Sequence, residues 1–213
     1  MNPSPLFRES REDVLHDLMR EHPFATIVSA AGGALSADHA PLVLHEGQAG
    51  APSVLRGHLA RGNALARDAA APIEVLIIFQ GPQAYITPSW YASKREHGKV
   101  VPTWNYVVVH ARGQLRFVTD TQWLLAHLHT LTDSHEGARP APWAVSDAPN
   151  TYVAQQLKGL IGFEIDITSL EGTWKLSQNK GAADRAGVEA GLRGEGGPQH
   201  AAVSSLVRER GRS

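Results

Sequence analysis

Three short segments of this 213-residue sequence gather side chains able to hold an anion or read a planar ring. The first is LRGHLARGN at residues 55–63. If it is extended, Arg56 and His58 share one face, and Arg61 falls where a following helix would begin. Guanidinium groups pair bidentately with phosphate or carboxylate, and a helix start presents free N–H groups, so Arg56, His58, Arg61 and Asn63 form a candidate anion-binding set. The same residue types also suit a solvated strand edge. The second segment, residues 83–106, places Ser89, Trp90 and Tyr91 before a polar run and Thr103, Trp104, Asn105 and Tyr106 after it. Flat rings beside hydroxyl and amide groups suit a planar heterocycle, since rings stack and amides read its polar edge; a filled barrel end or a dimer interface would use them too. The third, WKLSQNK at residues 174–180, offers Lys175, Ser177, Gln178 and Asn179 as anion donors and amide edges, with a surface turn as the alternative.

Other chemistries find less. With no cysteine in the sequence there is no disulfide scaffold, thiolate metal site or cysteine nucleophile. The eleven histidines include no HExxH; His127 and His129 diverge on a predicted helix, and His16, His22, His39, His45 and His135 are scattered, so no metal site is expected. Ser89 lacks a GxSxG elbow and no GxGxxG follows a first strand. The formal net charge of −1 gives no general basic field for nucleic acid, and a predicted helix over 120–136 carries neither Lys nor Arg. Arg208, Arg210 and Arg212 near the end could touch phosphates but suit a solubilising terminus equally well. Without a signal-like start or a long apolar run, a soluble cytoplasmic protein with no membrane segment is expected.

Hydrophobic periodicity supplies the elements that must position these groups. Val14, Leu15, Leu18 and Met19 predict a helix over 10–21 with Ser10 as its N-cap. Strands are predicted at 24–30, at 37–45 (an edge or bulge, given Pro41), at 53–58 and at 74–80; a turn at Gly81 and Pro82 then leads into 84–87. Residues 105–118 read as a long strand or a hairpin, and 162–170 has the clearest alternation. Helices are expected at about 59–70, 120–136, 148–159 and 182–192, and the glycine-rich, then basic, segment from Arg193 to the end is expected to be mobile. Strands of uneven length with helices between them point to an antiparallel barrel decorated by helices, in one domain over 1–192.

These residues together resemble the PaiB-type family, described as FMN-binding negative transcriptional regulators. The resemblance rests on LRGHLARGN, on IFQGPQAYITPSWYASKREHGKVVPTWNY, on PWAVSDAP and on WKLSQNKGAADRAGVEAGL, and covers most of residues 1–192. It implies a mainly β, helix-decorated (α+β) fold, the six-stranded antiparallel FMN-binding split β-barrel shared with pyridoxamine-phosphate oxidases and some haem-handling proteins. It further implies a homodimer with FMN in a groove at the subunit interface. On that resemblance Arg56, His58, Arg61 and Asn63 lie on the phosphate side. Ser89 and Trp90 form an aromatic wall, Thr103, Trp104 and Asn105 approach the ring, and Lys175, Ser177 and Gln178 close the site from the same or the partner chain. The function implied is a flavin-linked regulator. An FMN-dependent oxidoreductase acting on a small substrate is the first alternative; haem binding, with His58, His97 or His110 as axial ligand, and direct DNA repression are further ones.

Overall fold

The structure is a computed structural model that describes residues 4–30, 33–47, 51–68 and 72–210. Its strands are β1 (Arg8–Glu9), β2 (Phe24–Ser29), β3 (Ser36–Pro41), β4 (Val43–His45), β5 (Val54–Ala60), β6 (Ile73–Ile86), β7 (Thr103–Val118) and β8 (Leu160–Lys175). The helices are α1 (Glu12–Glu21), α2 (Ser93–His97), α3 (Thr121–Glu136), α4 (Asn150–Leu157), α5 (Ala182–Glu195) and α6 (Pro198–Arg210). The strands form one antiparallel sheet in the order β3-β2-β6-β7-β8-β5-β4, with β1 paired to β8. The sheet therefore has eight strands and not six. Two additions account for the difference: the stretch around Pro41 breaks at Leu42, whose N–H turns to Pro23 O (2.9 Å), and residues 8–9 pair with Gly172 and Thr173.

The chain divides into two compact units, and β6, β7 and β8 contribute residues to both. The unit of residues 19–79 and 110–170 holds β2 to β5, α3 and α4. Alternate residues of its strands, among them Ile27, Leu55, Ile77, Phe79, Leu115, Phe163 and Ile165, are fully buried. Each such side chain contributes about 1.5–3 kcal/mol of transfer free energy, so the period-two pattern dictates which face turns inward. The unit of residues 1–18, 80–109 and 171–213 buries Phe7, Leu15, Leu18, Ile86, Tyr91, Val107, Trp174, Leu176, Val188, Leu192, Val203 and Val207.

Several sequence-based expectations shift. The turn expected at Gly81 and Pro82 is the middle of the fourteen-residue strand β6. A Cβ on Gly81 would lie 2.5 Å from Val107 Cγ2, so the glycine serves close packing and not chain reversal. Pro82 sits where the buried positions pass from 75, 77, 79 and 81 to 84 and 86, an irregularity of one residue in the alternation at which a proline is tolerated. The segment at 59–70 is a short 3₁₀ turn, Ala64–Asp68, and not an α-helix, and part of it lies outside the described residues. Helix α1 begins at Glu12; Glu9 Oε1, in place of Ser10, accepts the Ser10 and Arg11 N–H groups at 3.0 and 2.9 Å. The terminal stretch expected to be mobile instead forms α6, with Val203, Ser204 and Val207 buried; Arg212 lies outside the described residues. Gly196 and Gly197, both left-handed (φ 73° and 85°), make the reversal from α5 into α6, a backbone that residues with a Cβ adopt only at a cost.

Candidate functional site

In the unit of residues 1–18, 80–109 and 171–213, two of the three segments meet. Strand β7 starts Thr103, Trp104, Asn105, alternating half-buried, exposed and buried, so the Thr103 and Asn105 side chains leave on the face opposite Trp104. Lys175, the last residue of β8, donates from Nζ to Thr103 Oγ1 at 2.6 Å. Asn105 is completely buried, and both ends of its carboxamide meet one hydroxyl: Nδ2 donates to Ser177 Oγ at 2.9 Å, and that hydroxyl donates to Asn105 Oδ1 at 3.2 Å. Ser177 is held at φ 63°, the left-handed region that costs a residue with a Cβ about 1–2 kcal/mol, and the buried bond to Asn105 offsets that cost.

Gln178 braces the same loop from within. Its Oε1 accepts from Leu176 N–H at 2.6 Å and its Nε2 donates to Trp174 O at 2.5 Å, while Lys180 N–H closes the turn on Ser177 O at 3.0 Å. Of the trio Lys175, Ser177 and Gln178, only Lys175 keeps its head group for something else. Partial burial, then the positive charge of Lys180, lowers the Lys175 pKa from the usual lysine range. Lys180 stands 4.7 Å above the Tyr91 ring. Tyr91 is 2% exposed, and its hydroxyl has no hydrogen-bond partner within the described residues. Burial, then the Asp184 charge, raises that phenol's pKa.

Ser89 and Trp90 anchor the preceding loop. Thr87 caps the 3₁₀ turn Pro88–Trp90 by accepting from Ser89 N–H, and Lys94 Nζ reaches Ser89 Oγ at 3.2 Å. Asp184, in the first turn of α5, accepts from Ser93 N–H at 2.9 Å and from Ser93 Oγ at 2.7 Å, which fixes the start of α2. Trp90 lies in a channel along α5 made by Gly187 and Gly191: a Cβ on Gly187 would be 2.0 Å from Trp90 O, and one on Gly191 2.3 Å from the indole. The indole therefore holds the loop to the helix. Gly191→Ala is expected to cost about 1–3 kcal/mol through this overlap. Gly194→Ala, three residues on with nothing within 4 Å of the new Cβ, is expected to stabilise by up to about 1 kcal/mol; thermal unfolding of both variants checks the contrast. Trp104, by contrast, is 52% exposed and meets Tyr85, 47% exposed, edge to face with centroids 6.1 Å apart.

The first segment belongs to the other unit. Arg56 and His58 do share a face of β5, but α3 covers it. Arg56 Nε donates to Glu164 Oε1 at 2.9 Å, its guanidinium lies 5.6 Å from the Trp123 ring centroid, and Trp123 Nε1 donates to Glu164 Oε1 at 3.2 Å. His58 Nδ1 faces His127 Nε2 at 3.2 Å, and His127 stacks on Trp123 with centroids 5.4 Å apart. Burial, then the charges of His58, His45 and Arg56, pushes the His127 pKa down to about 4; burial also lowers that of His58. Both rings are thus neutral at pH 7. Arg61 donates to Lys158 O and Leu160 O at 3.2 and 3.0 Å, and Asn63 donates to Asp38 Oδ1 at 2.6 Å while accepting from Leu65 N–H. Each member of this set has a partner within this unit, Arg61 at its exposed surface.

Four further residues that hold these groups, His127, Glu164, Asp184 and Lys180, do not stand out as candidates in the sequence. Only Lys180, which closes the WKLSQNK motif, and His127, on the same helical stripe as Leu124 and Leu131, left a signal. Of the other histidines, His97 is exposed, its Nδ1 accepting from Lys99 N–H at 3.0 Å. Among the described residues no group of three or more His, Asp or Glu could hold a metal ion, and no helix is long and apolar enough to cross a membrane.

An α+β chain whose antiparallel sheet carries a buried Asn–Ser clasp, a hydroxyl-bound lysine and a half-exposed Tyr–Trp pair has the donor types for a phosphorylated aromatic cofactor. Comparison with known proteins identifies the class. The sequence model of the family described as "Putative FMN-binding domain" matches residues 1–169, and the chain belongs to that family. It is 33% identical over 237 residues to an uncharacterized protein of Emericella nidulans, covering 95% of this chain and 94% of the other. It is 30% identical over 204 residues to the "Protease synthase and sporulation protein PAI 2" of Bacillus subtilis, covering 96% and 95%. The PaiB-type resemblance read from the motifs is thereby borne out, and FMN stands as the candidate cofactor. Among solved structures, the FAD and haem binding protein of Mycobacterium smegmatis matches with a TM-score of 0.57 at 15% identity, covering 79% of this chain and 73% of that one, a likeness of fold. The family match ends before the WKLSQNK loop.

Proposed function

We propose that this protein is a homodimeric FMN-binding regulator built on a split β-barrel, with the flavin in a groove at the subunit interface. The observation that carries the reading is the convergence at the start of β7: Thr103 and Asn105 bind Lys175 and Ser177, while the intervening Trp104 leaves half its surface exposed beside Tyr85. The polar donors around Lys175 suit the anionic end of such a ligand, while the Trp104 and Tyr85 surface lies on the opposite face of the strand, outside that cluster. The exposed Tyr85 and Trp104 also supply the apolar, aromatic area that a second copy would cover. Barrel closure is supported by topology: β3 and β4 are the two ends of the sheet order, yet only Leu42 separates them in sequence.

When bound, flavin would supply the redox chemistry; the chain's residues would bind and orient it. The buried Asn105–Ser177 clasp fixes the donor loop before ligand arrives, and Lys175 presents a positive charge. Expected on equilibrium dialysis is one FMN per chain with a dissociation constant in the micromolar range or below, and light scattering should give twice the chain mass. A protein that stays free of FMN at several hundred micromolar, or that runs as a monomer while binding it, contradicts the respective half of the reading.

A further inference from the structure

We propose that the cleft between α5 and α6 binds a small sugar or polyol carrying two phosphate groups, at a site separate from the flavin groove and independent of the flavin reading. The cleft has a volume of about 450 Å³, within the range of about 300–1,000 Å³ usual for small-molecule sites. It lies C-terminal to the family match, which ends at residue 169, and none of its lining residues belongs to the three segments described above. The sorting of charge between the two helices points to the ligand. Together α5 and α6 carry four arginines and four acids, so the pair is neutral as a whole. Yet Arg185, Arg193 and Arg208 all line the cleft, and Glu189 is the one acid that does so among the described residues. The fourth arginine, Arg210, is turned to Glu9, while Asp184 is bound to Ser93 and Glu195 faces His200 at 3.6 Å. Charges placed for solvation alone would leave the two signs interspersed on this face.

The walls of the cleft are held in place. Val188, Leu192, Val203 and Val207 are buried on the packed faces of the two helices, and Ser204 Oγ donates to Glu189 O at 3.1 Å, tying α6 to α5. The half-buried Arg185 donates from Nη1 to Lys180 O at 2.7 Å, and Arg193 Nη1 stands 3.4 Å from Glu189 Oε1. A guanidinium has five N–H donors, so neither contact exhausts its capacity for an anion. Arg208, across from them on α6, is exposed and has no carboxylate paired with it among the described residues. Arg185 and Arg193 lie two turns apart, about 12 Å along the axis, which suits two anionic groups on one molecule better than one. Glu189, on the turn between them and 19% exposed, repels a bare phosphate but accepts from hydroxyl groups, which a sugar supplies. Among the described residues no aromatic side chain lines the cleft, so it offers a nucleobase or a flavin ring no stacking surface.

Isothermal titration calorimetry with fructose 1,6-bisphosphate as the probe, on the full-length protein with and without saturating FMN, tests this. A dissociation constant of about 10–100 μM, the same in both conditions, is expected. Arg193→Gln and Arg208→Gln, both at exposed positions, should each weaken binding about 10-fold while melting temperature and FMN affinity stay unchanged. Glu189→Gln should weaken fructose 1,6-bisphosphate but strengthen inorganic pyrophosphate, because only the sugar has hydroxyl groups to give the carboxylate. Displacement of the bisphosphate by FMN, no binding at millimolar bisphosphate, or an affinity that both arginine variants leave intact overturns the assignment. So does a DNA duplex of about 20 base pairs that binds more tightly than the bisphosphate and is weakened by the same two variants. A protein that takes no FMN yet binds the bisphosphate through these arginines upholds the cleft while the flavin reading falls.

Discussion

Between pH 6.5 and pH 4 the protein is expected to lose about 2–3 kcal/mol of stability that a His127→Phe variant does not lose. Burial first, then the charges of His58, His45 and Arg56, holds the folded-state pKa of His127 at about 4, against 6.5 for an ordinary histidine. Because the folded pKa is the lower one, the unfolded chain takes up its proton first as the pH falls. The neutral buried ring therefore stabilises fully above 6.5, and its contribution declines to nothing by about pH 4. The gap between 6.5 and about 4, at about 1.4 kcal/mol per pH unit, sets a ceiling of about 3 kcal/mol. For a chain of this size that is a fall of about 5–10 °C in melting temperature. Phe keeps the stack on Trp123 without a titrating group, and it leaves His58 Nδ1 to solvent or to a new partner. Thermal melts at pH 7, 5.5 and 4.5 check this; equal pH dependence in the two proteins contradicts it.

Removing the Arg210 head group is expected to cost about 2–3 kcal/mol and to loosen α6. Glu9 is 4% exposed and accepts from Arg11 at 2.8 Å and from Arg210, whose guanidinium also lies 5.9 Å from the Trp174 ring centroid. Burial alone would raise the Glu9 pKa, but the hydrogen bonds from Arg11 and the bond and charge of Arg210 outweigh it, leaving the carboxyl at about 2 against 4.5. In Arg210→Ala the buried carboxylate keeps the Ser10 and Arg11 N–H groups but only the more exposed Arg11 as a charged partner, which is how a broken buried pair becomes costly. Here too the folded pKa is the lower, so the contribution is complete above 4.5 and disappears as the pH falls toward 2. The two acid losses thus follow one another, overlapping only between about pH 4.5 and 4. Urea unfolding at pH 7, with amide exchange of residues 198–210 as the local readout, tests this; unchanged stability with α6 protection intact would count against the clasp.

What could be read from the sequence follows the physics of each signal. The strand expected at 162–170 announces itself by period two, and the one expected at 24–30 by a β-prone run ended by glycines; β8 extends beyond the alternating stretch at both ends, where consecutive residues are buried. Helix α6 does not: Pro198, two preceding glycines and a mixed polar face conceal a helix whose stability comes from packing on α5 and the Arg210 clasp. For the site, WKLSQNK and Thr103–Asn105 were legible as donor-rich segments, and their meeting is a consequence of β7 and β8 being neighbours in the sheet. The engagement of Arg56 and His58 was not legible. His127 and Glu164, far away in sequence, hold them, and a histidine on an amphipathic helix reads as polar surface until the strand beneath it is known.

The most direct measurement of the central claim is the absorption spectrum of the protein after incubation with excess FMN and gel filtration. Flavin bands between about 350 and 500 nm that travel with the protein at one flavin per chain, and that weaken in Lys175→Met but not in Lys175→Arg, are the predicted result. A colourless protein fraction with all the flavin in the salt volume would contradict it.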